Sequence, residues 1–278
     1  VKATIQRSLL KTFLFIASFF VAFNAFATTT QPIQCHDFLT YGAPEPASNN
    51  HSAVNKVNQY LCRDGYVVGY SYLTKQPVFV AYHLSSKSVD VTIKRHDQFT
   101  PDPAIPAQFQ AQLSDYRNSG YDRGHLAPYA AMDFNKESAA QSFLLSNMSP
   151  QYPGLNRQGW AQLEKYVRFW ANMYQSLFVY TGAIYKKGKI HKTIGKNKIA
   201  VPDAFFKVIY APKQDKTIAF IMPNAKVSRK KVAQYRVSIT EVAQRTGLNF
   251  LTNLPKAQQQ KLVLNTSPMW RTAYTRKV

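Results

Sequence analysis

The chain has 278 residues, 45% of them hydrophobic and 18% charged, with 35 Lys and Arg against 14 Asp and Glu. That composition excludes a disordered or low-complexity protein and supplies enough apolar mass for one large domain or two small ones. A formal net charge of +21 favours polyanionic partners, with nucleic acid first and anionic membrane or cell-wall polymer behind it.

Lys2, Arg7 and Lys11 precede an apolar run over residues 12–27 that ends in Ala25-Phe26-Ala27. A charged start, a short apolar stretch and a small-x-small end predict an export leader over residues 1–27. The run is shorter than the roughly 20 apolar residues of a spanning helix, so an uncleaved anchor is the weaker reading. The expectation is a secreted or periplasmic protein with no stable membrane insertion once the leader is gone. Its charge then falls to about +18, because the leader's three cations come off +21. Residues 28–58, rich in Thr, Pro, Ala, Ser and Asn, read as an irregular N-terminal arm. The two cysteines, Cys35 and Cys62, are too few for a structural zinc site, and export favours a disulfide over two free thiols.

Residues 59–278 read as a single domain. Residues 66–72 and 77–82, rich in β-branched and aromatic side chains, predict a hairpin around 74–76. Residues 89–94 suggest a third strand, and the proline-punctuated stretch 99–106 a loop. A helix is expected from about Asp133 to Leu145, and the Pro- and Gly-containing stretch 146–156 reads as loop. Trp160, Leu163, Val167, Trp170 and Tyr174 recur at steps of three and four, which predicts an amphipathic helix with one core-facing stripe. Strands follow at 176–185, 190–201, 205–210 and 218–222, then a helix over 228–245 that stops at Gly247. Strands and helices intermingle without regular βαβ alternation, so the fold class is α+β, a central and mostly antiparallel sheet with flanking helices.

The chemistry concentrates in Asp122-Arg123-Gly124-His125 and in the stretch from Asn156 to Arg168. His125 can accept a proton near neutral pH. Arg123 falls on the same strand face two residues earlier, which suits a phosphate, and Gly124 permits close approach of a ligand. Asn156 is a hard-cation ligand or a helix N-cap. Glu164 is a working carboxylate or an exposed partner of Arg168 at i+4. On one continuous α-helix, eight residues rise about 12 Å, so Asn156 and Glu164 cannot both hold one ion directly. Either a helix start at Gly159 bends Asn156 back, or Glu164 acts through coordinated water, as magnesium permits.

Asp122-Arg123-Gly124-His125, Ser146-Asn147-Met148-Ser149-Pro150-Gln151 and the Leu155-Asn156 to Leu163-Glu164 stretch together resemble the DNA/RNA non-specific endonuclease family. This is the ββα-metal (His-Me finger) group, which includes secreted sugar-non-specific nucleases and mitochondrial endonuclease G. Further landmarks, among them Tyr180-Thr181-Gly182-Ala183 and Phe205-Phe206-Lys207, extend the resemblance from about Tyr66 to Leu254. It implies a ββα-metal active-site motif and a Mg²⁺-dependent nuclease, with Mn²⁺ as a substitute, cutting DNA and RNA to leave 5′-phosphates. Carried over by position, it implies His125 as general base, Asn156 as the metal ligand and Glu164 as the acid that orients coordinated water. Arg95 and Arg123 would hold the scissile phosphate, with Arg117 a competitor for the role of Arg95. Arg168 and Asp122 would join the substrate contacts, and Asn147 would help fix the site. A homodimer is left open.

Overall fold

Runs rich in Val, Ile, Phe and Tyr assemble a seven-stranded sheet in the computed structural model, which describes residues 33–47 and 52–273. In chain order the principal strands are β1 (Gln59–Cys62), β2 (Val67–Ser71), β3 (Gln76–Ser85), β4 (Asp122–His125) and β5 (Met148–Gln151). They continue as β6 (Ser176–Ile184), β7 (Ala204–Ala211), β8 (Lys216–Pro223) and β9 (Arg236–Val237). The large sheet runs β9-β8-β7-β6-β3-β2-β1, while β4 and β5 pair with each other. Every one of these pairings is antiparallel.

Successive side chains of a strand leave on opposite faces, and β7 shows it: Phe205, Ile209 and Ala211 join one core, Phe206, Val208 and Tyr210 the other. Helix α1 (Ala161–Tyr174) closes the first core with Leu163, Val167 and Trp170. Burying side chains of this size contributes roughly 1.5–3 kcal/mol each. Helices α2 (Ile239–Thr246) and α3 (Lys256–Leu264) cover the opposite face through Ile239, Val242 and Leu262. The expected α+β architecture is therefore present. Residues 86–175 form one excursion between β3 and β6, whose ends meet at the Ser85–Ser176 pair.

Four local expectations fail, each for a physical reason. Residues 89–94 make no strand, because Ser85 and Ser88 exchange side-chain and backbone hydrogen bonds in a capping box that starts a short helix, Ser86–Val89. Part of the expected loop 146–156 is strand β5. Pro150 sits there opposite Arg123, tolerated because this two-stranded ribbon leaves each strand an open edge. The single strand expected over 190–201 is two short ones, Thr193–Ile194 and Ile199–Ala200, folded around Gly195 at φ +66°. The long helix expected over 228–245 divides into a 3₁₀ segment, β9 and α2, because Ser238 accepts from the Glu241 N–H and starts α2 afresh.

The predicted arm is not separate from the domain either. Cys35, Leu39 and Ala43 are buried in the second core, Cys35 is disulfide-bonded to Cys62 of β1, and Glu45–Pro46 pairs with Leu248–Asn249. The described residues group as one unit. The predicted leader, residues 1–27, lies outside the described residues. Among those described, no helix is long and apolar enough to cross a membrane.

Candidate active site

A cavity of about 830 Å³ is lined from β4, from α1 and the turn before it, and from residues 95–99, 113–121 and 128–130. It gathers Arg95, Asp122, Arg123, His125, Asn156, Glu164 and Arg168, which is every predicted site residue except Asn147. Arg117, the competitor for the role of Arg95, lines it as well. The intervening strand residue has another duty. A Cβ on Gly124 would lie 2.1 Å from Gln151 Oε1, so this glycine clears space for a buried side chain on β5 and not for a ligand.

His125 lies among aromatic rings, 5.6 Å from Phe99 and 5.4 Å from Phe143 between centroids. Burial, then the nearby charges of Arg95 and Arg123, push its pKa down to about 3 against a smaller opposing pull from Asp97. The imidazole is therefore uncharged at neutral pH. Its Nε2 is buried without a hydrogen-bond partner. The same rings carry the cations: the Arg123 guanidinium sits 4.2 Å over Phe99, and that of Arg95 5.4 Å from both Tyr129 and Phe143. Arg95 also pairs with Asp97 at 2.5 Å, both side chains being more than half exposed.

Asp122, expected among the substrate contacts, spends its oxygens on protein. Arg157 donates Nε to Oδ2 at 2.8 Å and Nη2 to Oδ1 at 2.6 Å, and Asn156 donates Nδ2 to Oδ2 at 2.9 Å. Burial pushes this carboxyl up, but the Arg157 and Asn156 hydrogen bonds and the charges of Arg157 and Arg123 bring it below the ordinary range. A carboxylate only accepts, so it holds the Asn156 amide nitrogen and leaves Oδ1 as the free acceptor.

Asn156 stands in a π-helical turn, Leu155–Trp160, that runs directly into α1. Gly154 takes the cap position and the Asn156 N–H bonds Tyr152 O, so Asn156 is not the N-cap, and Gly159 does not start the helix. In an unbroken α-helix, side chains eight residues apart are about 80° out of phase. The residue absorbed by a π turn brings Asn156 and Glu164 to within about 20° of one another. The resulting stripe of Arg157, Ala161, Glu164 and Arg168 faces the cavity beside the apolar stripe of the core.

Glu164 has a buried partner that sequence reasoning missed. Lys207 on β7 is fully buried, with Nζ 3.4 Å from Tyr82 Oη and 4.7 Å from the Trp160 ring. Burial raises the Glu164 pKa, and the charges of Lys207, Arg168 and Arg95 pull it back; burial lowers that of Lys207, and Glu164 opposes this. Among the described residues no Glu164–Arg168 ion pair forms. The one sequence signal for Lys207 is its position between Phe205 and Ile209 on the core-facing register. Arg157, also unassigned from sequence, is the cation that fixes Asp122.

Asn147 stands outside the cavity. It is fully buried, donating Nδ2 to Ala127 O and Ser142 O and accepting the Ala127 N–H at Oδ1, each at 2.9 Å. It fixes the chain just after His125.

The donor set limits the metal. Among the described residues no three His, Cys, Asp or Glu side chains converge on one point, which rules a closed zinc-type cluster out of that region. One amide oxygen beside the Glu164 carboxyl, whose pKa burial raises to about 7, fits a hard divalent cation that keeps most of its water.

Residues 43–257 match the model of the DNA/RNA non-specific endonuclease family. The chain is 34% identical over 244 residues to Nuclease 1, mitochondrial, of Schizosaccharomyces pombe, covering 81% of this chain and 73% of the relative. It is 34% identical over 209 residues to human mitochondrial endonuclease G, covering 70% of each. A crystal structure of an EndoG/EndoGI complex superposes with a TM-score of 0.70 at 30% identity, covering 83% of this chain and 96% of that one. These relatives overturn the expected secreted or periplasmic location, since both curated proteins are mitochondrial nucleases. With β4, β5 and α1 arranged as two strands and a helix around His125 and Asn156, the chain belongs to the DNA/RNA non-specific endonuclease family.

Proposed function

We propose that the chain is a Mg²⁺-dependent endonuclease, accepting Mn²⁺ in its place, that hydrolyses DNA and RNA with little sequence preference and leaves 5′-phosphate ends. The observation that carries this reading is a neutral His125 in one cavity with Arg95, Arg123, Arg168 and the free Oδ1 of Asn156. His125 takes a proton from water as it attacks the phosphorus in line with the leaving 3′ oxygen. Arg123 and Arg95, held against aromatic rings, grip the non-bridging phosphate oxygens, and Arg168 contacts the substrate from α1. Asn156, fixed by Asp122 and Arg157, would hold the divalent cation, which when bound neutralises charge developing on the phosphoryl and leaving oxygens. Glu164, whose ionised form a bound cation favours, would orient water beside that position. All of these contacts address phosphate and sugar edges common to DNA and RNA, so discrimination between the polymers is weak.

The test is to incubate wild type and His125→Ala with circular plasmid and with RNA, in Mg²⁺ and in excess chelator. Wild type should cut both polymers only with metal, while the variant binds and loses at least about 10²-fold in rate. Binding by both proteins with cleavage by neither, under any divalent ion, overturns the catalytic reading.

A further inference from the structure

Between Lys186 and Lys198 the chain carries six lysines, Lys186, Lys187, Lys189, Lys192, Lys196 and Lys198, and no acidic residue. All six are exposed, and among the described residues none is ion-paired. Thirteen positions thus hold six of the 35 basic side chains of a 278-residue chain, a local density far above the average.

Residues 192–199 of the segment pack against the wall of the cavity, while Lys186 and Lys187 lie further off, lining a second cavity with Asn55 and Arg245. Ile194 and Ile199 of its hairpin are buried in a small core with Tyr116, Leu145 and Met148, and Met148 is the β5 residue paired with His125. Buried Asp115 accepts the Asn197 backbone N–H at 3.0 Å and its Nδ2 at 2.9 Å, which fixes the tip. Lys192 donates Nζ to Tyr121 Oη at 3.2 Å, and Tyr121 lines the 830 Å³ cavity. The nearby acid, Asp203, accepts the Lys186 backbone N–H at 2.8 Å and lies 3.4 Å from His191, so it anchors the segment and neutralises none of the lysine side chains.

We propose that residues 186–198 are a track for the phosphate backbone of the substrate beyond the scissile bond, so that the enzyme prefers polynucleotides long enough to reach from the cavity onto the lysines. This rests on the nuclease reading above. Flexible ammonium groups contact phosphates without reading bases, so the track adds affinity and salt sensitivity but no sequence preference.

The test uses the full chain with Lys187, Lys189, Lys196 and Lys198 each changed to Gln. Lys192 is kept because it touches the cavity wall, and thermal unfolding confirms an unchanged fold. Cleavage of a six-nucleotide and a thirty-nucleotide single strand is compared with wild type. Binding of the thirty-nucleotide strand is followed in chelator across salt concentrations. The track predicts KM raised roughly tenfold or more for the long strand with kcat kept, and no change for the short strand. The binding slope against log salt should fall by about 2 to 3, as loss of up to four phosphate contacts on a single strand requires. Equal losses at both lengths, or no loss at either with an unchanged slope, overturn the proposal. If wild type cleaves neither length the nuclease reading fails, and the binding slope still decides the track.

Discussion

Asn147 and Ala127 are joined by a reciprocal pair of hydrogen bonds, side-chain nitrogen to carbonyl and backbone N–H to side-chain oxygen, both 2.9 Å long. Ala127 follows His125 by two residues, and the Leu126 N–H bonds the Asn147 carbonyl at 3.1 Å. The amide thus dictates where the chain goes on leaving the base. Asn147→Ala strands three buried backbone groups and should cost about 2–4 kcal/mol in urea unfolding. Asn147→Asp should be no better, because a carboxylate supplies neither donor. Full stability in either variant would remove this role.

The pH behaviour of His125 should be unlike that of an exposed histidine. Its folded-state pKa is held near 3 against an ordinary 6.5. Between those values the unfolded chain binds the extra proton, so this contribution to stability is full above about 6.5 and lost as pH falls toward 3. NMR of the ring protons should show no titration of His125 from pH 8 down to 5. A midpoint near 6.5 would mean that the cavity does not hold the ring neutral.

Asp122→Asn tests the fixing of Asn156. The change removes the anion that holds Arg157 and the Asn156 amide, so Oδ1 loses its orientation. The concentration of Mg²⁺ giving half-maximal cleavage should rise about 10- to 100-fold, the range seen when the partner of a metal ligand is lost. An unchanged metal dependence would assign Asp122 to another task.

Lys207→Met tests the buried cation. Methionine fills similar space, and replacing buried charge by apolar atoms is often neutral for folding. Without the ammonium the Glu164 pKa rises, so the acid limb of the pH–rate profile should move to higher pH with the fold intact. A profile that keeps its position while stability falls would reduce Lys207 to a packing role.

Much of this site was legible because its parts are local. Arg123 and His125 share a strand face by simple alternation, and Glu164 and Arg168 share a helix face one turn apart. The cavity lining follows those periodicities. What escaped was set by packing from elsewhere in the chain. Lys207 acquires its partner only because β7 lies beneath α1. The π turn leaves no mark in residue type, although Gly159 is required where Val227 presses against it, a Cβ there lying 2.4 Å from Val227 Cγ1. Strand β5 was hidden by Pro150, since proline argues against a strand except where a free edge exists. Location failed for another reason: a leader-like pattern describes the start of a chain, whereas the relatives that overturn it were matched through the folded domain.

The excursion of residues 86–175 leaves and rejoins the sheet at two cross-strand neighbours, Ser85 and Ser176. Once β3 and β6 have zipped together, the entropy of bringing its two ends into contact is already spent. Its outer loops, 95–121 among them, can then change length without disturbing strand register. Substrate preference in such a molecule is free to drift by insertion and deletion while the sheet, and the anchorage of α1 upon it, stays as it is.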